Sequence, residues 1–288
     1  MQTSLSTLYP YLRLSRLHQH TGIYLVFFPA LWGLTIAYQG LPPLRAMIIF
    51  MAGAVLVRGA GCTVNDLLDR NFDPHVQRTK GRPLASGELT VKQGVLWLGL
   101  QLLGAASLLL LLNGLVFMLA LMAVGLLSVY PLLKRITYWP QLFLGFAMNF
   151  SMLMAYASVH QAVSLEIILL YLGSICWTLG YDTIYAYQDK KDDELIGVKS
   201  SARILGGALK PFLVLIYSCC IVLIGSAFLQ IKPTNASGIV YGFILSLALY
   251  GQIYWCDVNN PARWGQAFRF NTWIGLMVWL ALILLYTV

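Results

Sequence analysis

The sequence predicts an all-α, polytopic membrane protein: a bundle of about nine transmembrane helices forming a single domain over residues 1–288. Three observations carry this. Hydrophobic residues make up 59% of the chain and charged residues 10%, with a mean hydropathy of +0.72, whereas a soluble domain carries about 25% charged residues. The apolar residues fall in long continuous runs, not in the short alternating strands of a spanning β-barrel. In lipid, a run of that kind satisfies its own backbone only as a helix. Finally, Lys and Arg gather in alternate loops, as they do when they hold those loops on the cytoplasmic side.

The runs of spanning length, each needing ~17–25 residues, lie near 21–39, 44–65, 93–112, 114–132, 138–158, 164–186, 209–230, 237–256 and 270–287. The first begins near Gly22 and lacks a small-residue cleavage pattern, so it is expected to be a retained helix and not a removable signal. The leader before it is not the extended Arg/Ser-rich segment of an organelle transit peptide. Asn113-Gly114 is a tight-turn signal between the third and fourth runs.

Sixteen of the 19 Lys and Arg fall on one side. They are Arg13, Arg16, Arg70, Arg78, Lys80, Arg82, Lys92, Lys134, Arg135, Lys190, Lys191, Lys199, Arg203, Lys210, Arg263 and Arg269. Arg45 and Lys232 fall on the other, and Arg58 lies within a helix. The N-terminus is therefore expected in the cytoplasm, the motif loops near 66–92 and 187–208 on the same side, and the Asn235-Ala-Ser237 sequon outside. This asymmetry accounts for the formal net charge of +8 without nucleic acid, which is not expected as a partner. The five cysteines form no C-x-x-C pair and read as buried free thiols. His18 and His20 read as a polar helix entry before a metal site.

The acids are more concentrated than topology requires. Eight of 11 fall in two windows on the expected cytoplasmic side. In RGAGCTVNDLLDRNFDPHVQRTKGRPLASG, Arg58 to Gly87, the residues Asn65, Asp69 and Asp73 recur every fourth position. On a continuous helix each step advances the side chain by only ~40°, so the three share a face, and Asp66 broadens it. In YDTIYAYQDKKDDELIGVKSSA, Tyr181 to Ala202, Asp182, Asp189 and Asp193 make a similar stripe if the helix continues. Asp192 and Glu194 complete that window. The two windows resemble each other loosely, as an internal repeat would.

Clustered carboxylates repel one another and repel phosphate unless a hard cation lies between them. Mg²⁺ prefers octahedral oxygen coordination, through one or two carboxylates and substrate phosphates. Two acid rows from different helices suit a metal-bound pyrophosphate, with nearby Lys and Arg taking the leaving charge. The bland alternative is that these are solvated helix ends balanced by local bases. Arg58 lies seven residues before Asn65, two turns deeper on the same face; an intramembrane Arg faces a cavity or partner, or snorkels to the surface. Lys134 and Arg135, ending Tyr130-Pro-Leu-Leu-Lys-Arg135, are either topology anchors or an anion site, and Arg suits a planar carboxylate.

These residues resemble a known family. RGAGCTVNDLLDRNFDPHVQRTKGRPLASG, YPLLKR and YDTIYAYQDKKDDELIGVKS, in this order among about nine spans, are similar to the motifs of the UbiA-type intramembrane prenyltransferases, most of all the branch acting on 4-hydroxybenzoate. The resemblance covers nearly the whole chain. It implies an Asp-rich cavity open to the cytoplasmic side and to lipid. It also implies Mg²⁺-dependent transfer of a polyprenyl chain from polyprenyl pyrophosphate to the ring carbon ortho to the hydroxyl of 4-hydroxybenzoate, in ubiquinone biosynthesis.

By that resemblance Asn65, Asp69, Asp73, Asp189 and Asp193 are the metal ligands and catalytic residues, with Asp182 upstream. Tyr130 and Lys134 match a Y-x-x-x-K pattern, and Arg135 is the candidate for the benzoate carboxylate. Arg16, Arg58 and Arg70 are further substrate-side cations. Where relatives often carry a D-K-P-like entry after R-x-x-R, this chain has Leu-His-Gln-His20 after Arg13-Leu-Ser-Arg16. The implied setting is a bacterial inner membrane, with the lipid bilayer and no obligate protein partner. A sister prenyltransferase with another aromatic or tetrapyrrole acceptor stays open. So does an ion or organic-anion transporter, although transport sites lie nearer the midplane on broken helices.

Overall fold

The computed structural model describes residues 2–77, 79–195, 199–232, 237–256 and 261–287; the side chains of residues 2–6, 130–132, 134, 189, 191–195, 261 and 262 also lie outside the description. Among the described residues the secondary structure is helical throughout, without a strand. The helices are α1 (Gln2–Leu14), α2 (His20–Tyr38), α3 (Leu44–Leu68), α4 (Val91–Leu109), α5 (Gly114–Ile136), α6 (Pro140–His160), α7 (Leu165–Leu195), α8 (Ser201–Leu205), α9 (Leu209–Ile231), α10 (Ser237–Trp255) and α11 (Pro261–Thr287). Short 3-10 turns cover Asp73–His75 and Gly206–Ala208.

Seven of these segments are long and apolar enough to cross a membrane, and α5 adds a shorter apolar run, Gly114–Val129. The protein is a multi-pass membrane protein. The run expected near 93–112 corresponds to α4, which is not among the seven. Lys92, Gln93 and Gln101 lower its hydropathy, and Gln101 is buried because it serves the core: its Nε2 donates to Ser15 Oγ at 2.8 Å, and Thr63 Oγ1 donates to its Oε1 at 3.1 Å.

Local chemistry sets several boundaries. Thr90 and Gln93 form a capping box at the start of α4. Asn113 caps α5, its Oδ1 accepting from the Val116 N–H at 3.1 Å, so the Asn-Gly turn lies where the sequence predicts it. Residues 2–14 form helix α1 ahead of the first span. Two expectations need correction. Helix α11 starts at Pro261, well before 270. Helix α3 stops at Leu68, so Asn65, Asp69 and Asp73 do not share one continuous helix.

Helix α7 lies at the centre, packed on α2, α6, α9 and α11, while α2 also packs on α3, α6 and α11. Bare backbone allows the closest approaches, as in other membrane bundles. A methyl at Gly33 would collide with the Met152 carbonyl oxygen, and one at Gly180 with the Tyr217 ring. Trp32 stacks on Trp177 at 5.4 Å, and the Trp177 indole donates to Asn271 Oδ1 at 2.7 Å.

The connections segregate to two ends of the bundle. At one end, Arg13 meets Glu88, Lys199 Nζ donates to the Ile136 carbonyl at 3.0 Å, and the Ser201 N–H donates to Gln141 Oε1 at 3.3 Å. At the other, His160 Nε2 lies 2.8 Å from the Ala37 carbonyl and Asn113 Nδ2 donates to the Ala157 carbonyl at 2.8 Å. Both acidic windows belong to the first end.

Candidate active site

The first acidic window closes a helix and then turns. The Asp69 N–H donates to the Asn65 carbonyl and the Asp73 N–H to the Asp69 carbonyl, each at 2.9 Å. The chain leaves α3 after Leu68 and starts a 3-10 turn at Asp73, with Pro74 in its first turn, where its missing N–H costs nothing. Arg70 donates to the Leu67 carbonyl at 2.7 Å and so caps α3 from an exposed position.

Within this turn the carboxylates differ. Asp73 is buried and accepts from Arg82 Nη1 on both oxygens, at 3.0 and 2.8 Å. The same Arg82 nitrogen lies 3.2 Å from Asp66 Oδ1, and Arg16 Nη2 donates to that oxygen at 2.7 Å. The result is a chain, Arg16–Asp66–Arg82–Asp73, of alternating charge. Arg16 holds its position at a backbone cost, with φ at +51°, a region worth roughly 1–2 kcal/mol of strain for a residue with a side chain. Asn65 and Asp69 are half-buried at the same end of α3.

Helix α7 runs unbroken through the second window to Leu195, as the stripe of Asp182, Asp189 and Asp193 requires. Asp182 is half-buried; the side chains of Asp189, Asp193, Tyr130 and Lys134 lie outside the described residues. Arg16 reaches Asp66 of α3 and is within electrostatic range of Tyr185 on α7. Arg58 lies against α2, where a methyl on Gly22 would stand 2.5 Å from its Nε. Its charge also acts on Tyr181 of α7. Arg135 is exposed at the end of α5. His18 is pulled below its ordinary pKa, first by partial burial and then by Arg13, Arg16 and His20; the same positive surroundings oppose a divalent cation at H-x-H.

Sequence reasoning assigns no role to Arg82 or Tyr181. Arg82 stands nine residues beyond its partner Asp73 in a loop, where no periodicity pairs them. Among the described residues no three His, Cys, Asp or Glu side chains stand together as a metal site. The donors at the end of α3 are nevertheless amide and carboxylate oxygens, a hard set that fits Mg²⁺ and not a thiophilic ion.

A helical membrane bundle with acidic rows emerging at one end of two of its helices defines the class: an intramembrane enzyme that handles a charged head group beside lipid. Residues 26–286 match the UbiA prenyltransferase family, and the chain belongs to that family. It is 40% identical over 278 residues to a 4-hydroxybenzoate octaprenyltransferase of Hydrogenovibrio crunogenus, covering 95% of this chain and 96% of that one. A 4-hydroxybenzoate geranyltransferase of Lithospermum erythrorhizon is 40% identical over 283 residues, covering 96% and 90% of the two chains. The fold is similar to the apo structure of a UbiA homologue from Aeropyrum pernix K1, with TM-score 0.72, 20% identity and coverage of 92% and 98%. It is also similar to an Archaeoglobus fulgidus homologue bound to GPP and Mg²⁺, with TM-score 0.61, 18% identity and coverage of 93% and 99%. Membership of a prenyltransferase family replaces the transporter reading.

Proposed function

We propose that this protein transfers a polyprenyl chain from polyprenyl diphosphate to 4-hydroxybenzoate, at the carbon ortho to the hydroxyl, as a step towards ubiquinone. The supporting observation is 40% identity, over nearly the full length of both chains, to the Hydrogenovibrio enzyme that bears this activity in its name. In the reaction the allylic C–O bond breaks and the electron pair leaves with diphosphate. The ring carbon forms the new C–C bond, and its proton is then lost to restore aromaticity.

Asn65, Asp69, Asp73, Asp189 and Asp193 would hold Mg²⁺, with Asp73 working from its pairing with Arg82. The ion, when bound, neutralises the diphosphate and makes it a better leaving group. Arg16, Arg70, Tyr130, Lys134 and Asp182 would bound the head-group site. Of the two arginines that suit the acceptor carboxylate, exposed Arg135 reads better as a topology anchor. Arg58, half-buried and pressed against Gly22, reads better as the ligand. The surrounding helices keep water from the developing cation, while the apolar chain lies along lipid. The setting is the inner membrane, with the acidic end towards the cytoplasm.

The test is labelled prenyl transfer by purified protein supplied with 4-hydroxybenzoate and prenyl diphosphates. Turnover is expected to vanish on chelation and return with Mg²⁺. Combining Asp69→Ala with Asp189→Ala is expected to lower the rate by at least ~10³-fold, since electrostatic groups of this kind contribute about that much each. Full turnover by that double variant rejects the assignment.

A further inference from the structure

Helix α1 belongs neither to the spans nor to the acidic motifs, yet it carries a definite set of contacts. It is 13 residues long with Pro10 inside it, and a helix that short is marginal in water without packing. One edge is packed. Tyr11 lies against Trp97 at 5.2 Å, Ser15 Oγ accepts from Gln101 Nε2 at 2.8 Å, and Leu14 is buried with Leu84 and Leu89. The other edge is apolar and open: Leu8 is 43% exposed and Tyr9 58%. Helix α3 fixes the depth of these contacts. A hydrocarbon core of ~30 Å takes ~20 helical residues, so a span entering at Leu44 leaves it near Val64. Thr63 donates to Gln101 at 3.1 Å. Gln101 and Ser15 therefore lie just inside that boundary, and Trp97, one turn nearer the acidic end, lies at it. Trp and Tyr are the residues that gather at a membrane–water interface. Leu8, one turn before Tyr11 and Leu12, extends the apolar edge of α1 from this level, as Val95 and Leu96 extend the exposed face of α4.

We infer that α1 is an interfacial helix: Leu8, Tyr9 and Leu12 bury in the head-group boundary of the leaflet at the acidic end, and α1 thereby straps the first acidic loop to the membrane surface. Lipid is the occupant of the open edge because that edge begins at the depth of Trp97 and is continuous with helices that already face lipid. Amphipathic helices of this kind sink their apolar edge ~5–10 Å into the boundary. The polar side of α1 holds the loop. The Arg13 guanidinium lies over the Tyr9 ring at 5.8 Å, and it donates to Glu88 at 2.8 Å and to the Gly81 carbonyl. Arg16, just past the helix, donates to Asp66 at 2.7 Å. Both flanks of Arg82 are thus held from α1, Gly81 through Arg13 and Leu84 through Leu14. Arg82 in turn holds Asp73. Lipid contact by residues 8–12 and the placing of Asp73 are the two ends of one strap.

The test uses the full chain in nanodiscs of phosphatidylcholine and phosphatidylglycerol. A nitroxide is attached to Leu8→Cys in a Cys219→Ser background, which removes an exposed thiol; the labelled background protein is the blank. Val95→Cys and His75→Cys serve as lipid and water references. Oxygen concentrates in lipid, and a nickel chelate stays in water. The oxygen-to-nickel collision ratio at Leu8 is expected to be several-fold above that at His75 and within about twofold of that at Val95. Leu8→Asp is expected to make trypsin cleave after Lys80 several-fold faster, since cleavage tracks the opened population. Leu8→Phe, which keeps the edge apolar, is expected to leave that rate unchanged. A Leu8 label that behaves like the His75 label puts the edge in water. One shielded from both reagents, with spin–spin broadening, puts a second copy of the chain on it. Either result overturns the lipid contact. Equal cleavage of Leu8→Asp and wild type, or equal acceleration by Leu8→Phe, overturns the strap.

Discussion

Asp66 and Asp69 are three residues apart and carry the same group, yet their surroundings separate them. Asp66 is 2% exposed and bridges Arg16 and Arg82; Asp69 is half-buried where α3 ends. Asp66 is therefore best understood as the anchor of the loop, holding Arg82 where Arg82 also holds Asp73. Asp66→Asn preserves shape and removes the charge, leaving two partly buried guanidinium groups without their shared partner. The expected loss is on the order of 3 kcal/mol of stability, seen as a lower thermal midpoint. Asp69→Asn is expected to leave the midpoint nearly unchanged. Equal midpoints for the two variants contradict this division. The spacing of Asn65, Asp69 and Asp73 was legible in the sequence because a period of four is local. The Arg16–Asp66 pair spans 50 positions, and only the packing of α1, α2 and α3 creates it. For the same reason Asp66 alone reads equally well as ligand or as solvated acid.

At the scale of elements, most apolar spans were legible to within a few residues, because lipid imposes length and hydropathy on each span separately; the start of α11 and the run near 93–112 are the exceptions. The amphipathic ends were not legible. Helix α1 is tied to α4 by Ser15, whose Oγ accepts from Trp97 Nε1 at 2.7 Å and from Gln101 Nε2 at 2.8 Å while donating to the Tyr11 carbonyl at 3.0 Å. Tyr11 also lies against Trp97 at 5.2 Å. Farther out, Arg13 bridges to Glu88 with side-chain exposures of 30% and 36%. The visible ion pair is the weaker tie. Ser15→Ala strands two donors in the packed region and is expected to cost about 2 kcal/mol. Arg13→Ala is expected to cost less than ~1 kcal/mol and to lose even that at high salt. Thermal midpoints of both variants at low and high ionic strength distinguish them, and a larger loss for Arg13→Ala reverses the ranking. The end of α3 shows the opposite failure of sequence reading. A continuous helical stripe was expected through Asp73, but α3 ends at Leu68 and Asp73 joins the cluster from a 3-10 turn, held there by Arg82.

For the whole molecule, charge and structure describe the same axis from independent evidence. The Lys/Arg count divides loops by parity alone. The structure divides them by contact: Arg13–Glu88, Lys199–Ile136 and Ser201–Gln141 join connections at the acidic end, and Ala37–His160 and Asn113–Ala157 join those at the other. Every loop rich in Lys and Arg falls at the acidic end, while Arg45 and Lys232 start α3 and end α9 at the other. Placing the acidic end in the cytoplasm lets Mg²⁺ and the aromatic acid reach the site, and released diphosphate leave it, through one compartment, with the donor's isoprenoid tail lying in lipid. Single cysteines at His75, exposed beside the acidic turn, and at Leu41, 64% exposed in the α2–α3 connection, report the two ends. A membrane-impermeant maleimide added to intact spheroplasts is expected to label Leu41→Cys and spare His75→Cys; inverted vesicles reverse the pattern. The parent protein sets the background, since its described cysteines lie in helices or are buried. Labelling of His75→Cys from outside inverts the topology and requires the diphosphate to arrive from the other face, which the positive-inside bias of sixteen basic residues opposes.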